Sequence, residues 1–493
     1  MKNVKFYLTS VLFGLLVLTG CAQAEPQIVF VTATPGEIVG GGSVEVVSSA
    51  NDVPLLQTNA PATLTPSPGP SAIFLGPIVG DGARPAVTNT PLPTATPIVP
   101  PTSADLPTAV DARTEVATQA PLTDAPPQPT RAGTPLPALD ASNVGIQVIS
   151  RVERDEWDVI MNQVENDLDM GWIKVQVAWD FFQPNGPDEI SGEFRRLEIY
   201  LEQIHEIRDV KVLVSIAKAP NWARTDLTED GPPTDPQALA RFITLFLNEM
   251  NNTIDAVEIW NEPNLIREWQ GVPKTGQNYM TYFDAGYNAV RAYSQDIVVI
   301  SAGLAPTVDT PGSRNDRDFL QEMYSAGLAS YTNTAIGIHP YGWGNGPDVR
   351  CCAPGPERGW DEARQFFFLD TIEDYRNIMV NNGDSDAQMW ATEFGWASWE
   401  GLPGQPPDPW MDYNSKWDQA NYNLRAIQIM QELDYMGPMF LWNLNFAQPS
   451  LINQRDERVA YSIVLPEGAP RERPFYWMMF DAVRPDEQLE RYD

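Results

Sequence analysis

The stretch Ala256-Val257-Glu258-Ile259-Trp260, followed at once by Asn261-Glu262-Pro263-Asn264, carries the pattern that decides the fold. The first five residues are mostly apolar and have the length of a buried strand. Reactive polar side chains then stand directly at its carboxyl end. Active sites of parallel (β/α)8 barrels are built at this end of their strands.

The same order recurs over residues 141–493, where short apolar runs alternate with amphipathic stretches. The candidate strands are 144–149, 173–178, 211–216, 256–260, 297–302, 335–339, 388–392 and 438–442. The candidate helices between them include 192–208, 236–250, 276–293, 316–324, 360–379 and 416–433. Eight buried strands, most of them followed by a helix, predict an α/β fold with a closed parallel barrel, the (β/α)8 TIM barrel.

Residues 1–20 have the features of an export signal peptide: Lys2 and Lys5, then an apolar run too short to span a bilayer comfortably. Residues 18–21, Leu-Thr-Gly-Cys, resemble the lipobox of bacterial lipoproteins. That resemblance implies that Cys21 becomes an acylated N-terminus, which tethers the protein to the extracellular face of the bacterial cell membrane. The alternative is that Cys21 is an ordinary small residue near a secretory cleavage site.

Residues 21–140 are dominated by Pro, Thr, Ala, Ser and Val and contain few aromatic residues. This composition predicts a disordered Pro/Thr-rich linker, stiffened by proline, ahead of a single folded domain at 141–493. A small β-domain around 28–80 is the alternative, although prolines interrupt its Val and Ile runs.

The formal net charge of −33 argues against nucleic acid or an acidic membrane surface as a partner, because both attract basic patches. A neutral substrate such as a polysaccharide fits better, and the lipid anchor is the only membrane contact we expect. With two histidines in the chain, a metal site of three or more histidines is excluded, and we expect no metal and no cofactor.

Cys351 and Cys352 are adjacent in the sequence. In an exported protein they either close a strained disulfide with each other, remain free thiols or bind a metal.

Two candidate strands end in a glutamate within a distinctive motif. The first ends in Trp260-Asn261-Glu262-Pro263, and the second in Thr392-Glu393-Phe394-Gly395. These motifs resemble glycoside hydrolase clan A, the retaining TIM-barrel glycosidases, whose fourth strand ends in an asparagine and the acid/base glutamate and whose seventh carries the nucleophile. The resemblance implies that 141–493 is a catalytic domain with Glu262 as acid/base and Glu393 as nucleophile. A surface salt bridge or a helix cap is the competing interpretation of either glutamate alone.

Glycoside cleavage by retention requires a carboxylic acid and a carboxylate about 5 to 5.5 Å apart. We therefore expect Glu262 to be desolvated beside another carboxylate, so that it keeps its proton, and Glu393 to stay ionised.

Further matches to the clan concern residues that bind the substrate. The resemblance places Asn261 on the sugar 2-hydroxyl, His339 and Tyr341 at the end of strand six, with the tyrosine orienting the nucleophile, and Trp442 on the floor of the cleft. Four other tryptophans near strand ends, which could equally pack in the core, are candidates to stack on sugar rings: Trp179, Trp222, Trp343 and Trp396.

One feature departs from the clan. Several of its families carry an arginine near the tip of strand two, and residues 175–179 offer none. This weakens a family 5-like assignment and leaves a family 39-like enzyme or a sister family. Two non-enzymatic alternatives are a catalytically silent carbohydrate-binding surface lipoprotein and an adhesion or scaffolding module on a proline-rich stalk. The sugar, the linkage and endo or exo action depend on loops that the sequence leaves open.

Overall fold

The computed structural model describes residues 138–352, 361–466 and 471–485. Its eight strands form one closed sheet in chain order, and every neighbouring pair is parallel. The predicted barrel is confirmed. The proposed signal peptide, Cys21 and almost all of the proposed linker lie outside the described residues.

The strands are β1 (Val144–Gln147), β2 (Trp172–Ala178), β3 (Lys211–Ala217), β4 (Ala256–Ile259), β5 (Val298–Ser301), β6 (Thr334–Ile338), β7 (Gln388–Phe394) and β8 (Met436–Leu441). The α-helices are α1 (Arg154–Asn162), α2 (Trp179–Phe182), α3 (Gly192–Ile207), α4 (Pro236–Met250), α5 (Gly276–Tyr293), α6 (Asp316–Ser325), α7 (Phe368–Asn381), α8 (Lys416–Gln431), α9 (Pro449–Asn453) and α10 (Pro474–Ala482). Within the described part of the chain, no helix combines the length and the apolar character needed to cross a membrane.

Helix starts follow local capping chemistry. Ser191 accepts a hydrogen bond from the backbone of α3, Asp235 caps α4 ahead of a proline, and Ser415 and Asp418 form a capping box on α8. Helix α7 begins at Phe368, later than the predicted 360, because a 3-10 turn at Arg364–Phe366 precedes it.

The barrel interior is layered. An apolar layer contains Trp172, Leu213, Ala256, Ile300, Ala335, Trp390 and Phe440. Because side chains along a strand alternate between its two faces, the residues two positions further on also point inward. On β2 and β4 these are Lys174 and Glu258, both fully buried. A charged layer therefore lies between the apolar layer and the carboxyl ends of the strands.

Strands β7 and β8 pair irregularly. Met389 pairs with Met436, but Ala391 pairs with Met439, so β8 holds one extra residue beside Pro438. This bulge accommodates a proline inside the sheet and lets β8 begin before the predicted residue 438. A second irregularity follows Ala391, on the stretch of β7 that carries Glu393. Bulges re-aim side chains, and this one lies where the nucleophile candidate must turn inward.

Candidate active site

The barrel brings the two predicted glutamates together. One carboxylate oxygen of Glu262, one of Glu393 and one ring nitrogen of His339 all lie within 4.8 Å of one another. All three residues are buried, and they come from the carboxyl ends of β4, β7 and β6. The arrangement therefore assembles two carboxyl groups and an imidazole at the carboxyl ends of the strands.

The backbone after β4 is held in an unusual conformation at Glu262. Its φ is 42°, in the left-handed region that residues other than glycine rarely adopt. Its N–H donates to the carbonyl oxygen of Gly303 at 3.0 Å. The buried Asn264 donates to the Ala305 carbonyl at 2.8 Å and accepts from the Ala305 N–H at 3.0 Å. The loops after β4 and β5 thus hold the strained residue in place, as is typical of functional sites.

Glu262 has a positively charged or protonatable partner at each oxygen. His339 Nδ1 lies 3.1 Å from Oε1, and an Arg267 guanidinium nitrogen lies 3.4 Å from Oε2. Burial raises the pKa of Glu262, but His339 and Arg267 together outweigh burial and hold that pKa below its ordinary value. The desolvated setting expected from the sequence is present, but the expected rise in pKa is not. The contact from Arg267, five residues further along the chain, was not predicted from the sequence.

Glu393 has a donor on each oxygen. The Lys174 ammonium donates to Oε1 at 3.0 Å, and the Tyr341 hydroxyl donates to Oε2 at 2.9 Å. Burial, and then the nearby Glu393 carboxylate, raise the pKa of Tyr341 well above its ordinary value, so the hydroxyl keeps its proton. This hydrogen bond is consistent with the orienting role expected for Tyr341.

Lys174 is a site residue that the sequence reasoning missed. The sequence prediction considered a cation only at the tip of β2, whereas Lys174 lies earlier in that strand and its ammonium reaches Glu393. The available signal was a lysine two positions after Trp172, on the inward face of an otherwise largely apolar strand.

His339 is fully buried between the glutamates. Burial lowers the pKa of His339, but Glu393 and Glu262 raise it further, and the net pKa lies above its ordinary value. The two glutamates and His339 have the donor types of a divalent metal site. Lys174 and Arg267 nevertheless already supply positive charge to the same two carboxylates, which favours a site in which the carboxyl groups act without a metal ion.

Asn261 lies beside Glu262 with its side chain buried, and its Oδ1 finds no hydrogen-bond partner among the described residues. A buried amide oxygen without a partner costs free energy that a ligand hydroxyl can recover. The Asn261 Oδ1 is therefore available for the predicted contact with a sugar hydroxyl.

Two of the five tryptophans border the site. Trp442 and Trp343 are partly exposed, and their ring centroids lie 6.0 and 6.3 Å from that of Tyr341. Tyr461, absent from the sequence prediction, packs against Trp442 at 4.7 Å. Trp222 is partly exposed but packs edge-on against Trp179 and donates to the Gln183 carbonyl.

The prediction that Trp179 and Trp396 line the cleft was wrong, because both side chains are buried in the core. Trp179 begins α2 and stacks on Phe242 of α4 at 4.7 Å, with no exposed surface. Trp396 packs against Phe368 of α7 and donates to the Asn345 carbonyl. Both rings follow a strand end in sequence, but the backbone turns them outward into the layer between strands and helices.

Cys351 and Cys352 are joined by a disulfide, the first of the three alternatives that the sequence left open. The pair lies in the loop between β6 and α7, where the Cys351 N–H donates to Asp370 at 2.7 Å.

Comparison with solved structures agrees with this architecture. The barrel is similar in fold to a family 39 glycoside hydrolase. That enzyme, from the gut symbiont Bacteroides cellulosilyticus, aligns with a TM-score of 0.51 and 17% identity over 71% of this chain and 64% of its own. This chain thus spans less than two thirds of that relative. A glucosidase from Croceicoccus marinus aligns with a TM-score of 0.47 and 13% identity, over 71% of this chain and 68% of its own. No known family model matches the chain, and no curated protein matches it in sequence.

Proposed function

We propose that this protein is a retaining glycoside hydrolase that cleaves O-glycosidic bonds in a poly- or oligosaccharide. The observation that carries the proposal is the approach of the Glu262 and Glu393 carboxylate oxygens to within 4.8 Å at the carboxyl ends of β4 and β7. Retaining glycosidases hold their two carboxyl groups about 5 to 5.5 Å apart, whereas inverting enzymes need room for a water molecule between them.

In the first step, a Glu393 oxygen forms a bond to the anomeric carbon while the bond to the leaving oxygen breaks. Glu262 gives its proton to that oxygen, and a glycosyl-enzyme remains on Glu393. In the second step, Glu262 takes a proton from water, whose oxygen attacks the anomeric carbon and releases Glu393 as a carboxylate. Two inversions give net retention, and the mechanism requires no metal or cofactor.

The supply of the proton involves His339. Because the pKa of Glu262 lies below its ordinary value and that of His339 above it, the pair together holds one proton over a broad range of pH. Its transfer from Nδ1 to Oε1, across 3.1 Å, turns Glu262 into the acid. The net charge of the pair is zero before and after the transfer, so the transfer leaves the net charge of the site unchanged.

The surroundings favour a neutral sugar. Beside Glu262, Asn261 offers an Oδ1 that has no hydrogen-bond partner within the described part of the chain, and Trp442 and Trp343 offer partly exposed aromatic surface. Aromatic rings stack on the apolar faces of pyranosides, and a buried amide oxygen selects for a hydroxyl.

We also propose that the enzyme works outside the cell, tethered to the extracellular face of the bacterial membrane through an acylated Cys21. The lipobox-like residues 18–21 support the anchor, and the Pro/Thr-rich composition of 21–140 suits a spacer that holds the barrel away from the membrane.

The test is hydrolysis of a panel of aryl glycosides and polysaccharides, with the anomer of the first product identified by NMR. We expect retention. Glu393→Gln is expected to abolish turnover, and Glu262→Gln to lower kcat by about 10² to 10⁴-fold. The loss in Glu262→Gln should be smaller for dinitrophenyl than for methylumbelliferyl glycosides, because a better leaving group needs less help from an acid.

Glu206→Gln, on the exposed face of α3, is the matched control and should hydrolyse the same substrates at the parent rate. Undiminished turnover in Glu393→Gln would refute the mechanism. Tight sugar binding by the parent without turnover would instead establish the silent carbohydrate-binding lipoprotein.

A further inference from the structure

Lys174 is a charged residue in the interior of the barrel. Its ammonium has no exposed surface and lies 3.0 Å from Glu393 Oε1, 3.1 Å from Glu258 Oε2 and 3.0 Å from the Thr392 carbonyl oxygen. Barrel interiors are usually filled with branched apolar side chains. Removing an ammonium from water carries a large desolvation penalty, so a buried lysine requires negative partners that offset this penalty.

Glu258 supplies the compensating charge. It lies on β4 in the same layer, fully buried, and its Oε1 accepts from the Gly303 N–H at 3.0 Å. Burial works against the charged forms of both residues. Their mutual attraction, together with Glu393 near Lys174 and His339 near Glu258, nevertheless keeps the pKa of Lys174 above and that of Glu258 below their ordinary values. The two residues form an ion pair directly beneath the site.

We propose that Lys174 is a positioning residue that holds the Glu393 carboxylate in its attacking orientation, with Glu258 as the fixed counter-ion of the ammonium. This rests on the proposed function, in which Glu393 is the nucleophile. Lys174 holds Oε1 and Tyr341 holds Oε2, so the carboxylate is restrained at both oxygens. The cation comes from one layer below the tip of β2, where several families of the clan carry an arginine and residues 175–179 of this chain offer none.

The pairing with Glu258 has a chemical reason. When Glu393 bonds to the anomeric carbon, its negative charge is consumed and it no longer neutralises the ammonium. A lysine paired with Glu393 alone would then be a buried charge without a partner. Glu258 takes no part in the bond changes, so Lys174 remains compensated through both steps of the reaction.

The decisive variant is the double substitution Lys174→Met/Glu258→Gln. Lys174→Met alone leaves Glu258 buried without its cation and is expected to lower the thermal unfolding temperature or prevent folding. The double variant removes both charges and should recover the unfolding temperature, but kcat on an aryl glycoside should remain lowered by about 100-fold with little change in KM, because the nucleophile is misplaced. A purely structural lysine predicts that the double variant recovers kcat as well, and that result would overturn the proposal.

Lys211→Met is the matched control, because Lys211 is exposed at the opposite end of β3, and it should keep the parent kcat. Crystal structures of the parent and the double variant provide a readout that needs no substrate. We expect the Glu393 carboxylate to leave its parent position in the double variant. An unchanged position would overturn the inference even if no glycoside is hydrolysed, whereas failure of the parent on every glycoside would refute the proposed function alone.

Discussion

Glu262 and Glu393 carry the same functional group but have different neighbours. Glu393 is held by a lysine and a phenol, both of which donate. Glu262 is held by an imidazole, with which it can exchange a proton, and by Arg267. The division into nucleophile and acid/base thus follows from the partners, because the imidazole hydrogen-bonds to Glu262 at 3.1 Å, whereas the same nitrogen lies 3.8 Å from Glu393.

Arg267 gives a test at this scale. Its guanidinium lowers the pKa of Glu262, so Arg267→Met should raise that pKa. The Glu262–His339 pair must hold its proton for Glu262 to act as the acid, and removal of the nearby guanidinium charge keeps that proton on the pair to higher pH. We therefore expect the basic limb of the kcat/KM profile to move up by about 1 pH unit or more.

Arg241→Met, on the exposed face of α4, serves as the control and should leave the profile in place. A basic limb that stays unchanged in Arg267→Met, measured on the same aryl glycoside, would show that Arg267 does not govern the ionisation of Glu262.

At the scale of elements, the closure of the barrel depends on a residue without a side chain. Gly145 on β1 pairs with Phe440 on β8 and Trp172 on β2. A Cβ at this position would lie 2.6 Å from the Phe440 ring and 2.8 Å from the Trp172 Cβ. The two aromatic side chains of the apolar layer therefore leave room only for glycine between them.

We expect Gly145→Ala to lower the free energy of unfolding by about 1 to 3 kcal/mol, because the added carbon overpacks the interior. Urea denaturation followed by tryptophan fluorescence measures this change. Gly192→Ala, at the first residue of α3 with open space around it, is the control and should be neutral or slightly stabilising. Equal stabilities of the two variants would contradict the steric account.

At the scale of the whole molecule, the proposed lipid anchor would hold at a membrane surface a protein whose net charge disfavours binding to that surface. The net charge of −33 repels anionic lipid headgroups, so a covalent lipid is the attachment consistent with the composition.

Cys21→Ser tests the attachment in a bacterial host. We expect the parent to be labelled by palmitate and to sediment with membranes, and the Cys21→Ser variant to be unlabelled and released. The double variant Cys351→Ser/Cys352→Ser keeps Cys21 and should remain with the membranes. A parent protein without palmitate label, or equal labelling of the Cys21→Ser variant, would exclude lipid attachment through Cys21.

Much of the barrel was accessible from the sequence, because its strands are short apolar runs and its helices begin at recognisable caps such as Ser415. The two glutamates were accessible because their motifs place them at strand ends, and parallel strands bring those ends to one face.

The sequence alone determined which residues are reactive and at which end of the barrel they stand. Tertiary structure decided which groups surround them: Lys174 from one layer below, Arg267 from a returning loop, and Trp179 and Trp396 turned into the core. The physical reason is the distance over which each effect acts. Strand alternation and capping act between near neighbours in the chain, whereas the charge state of a buried carboxylate depends on any group within a few ångströms, wherever that group lies in the sequence.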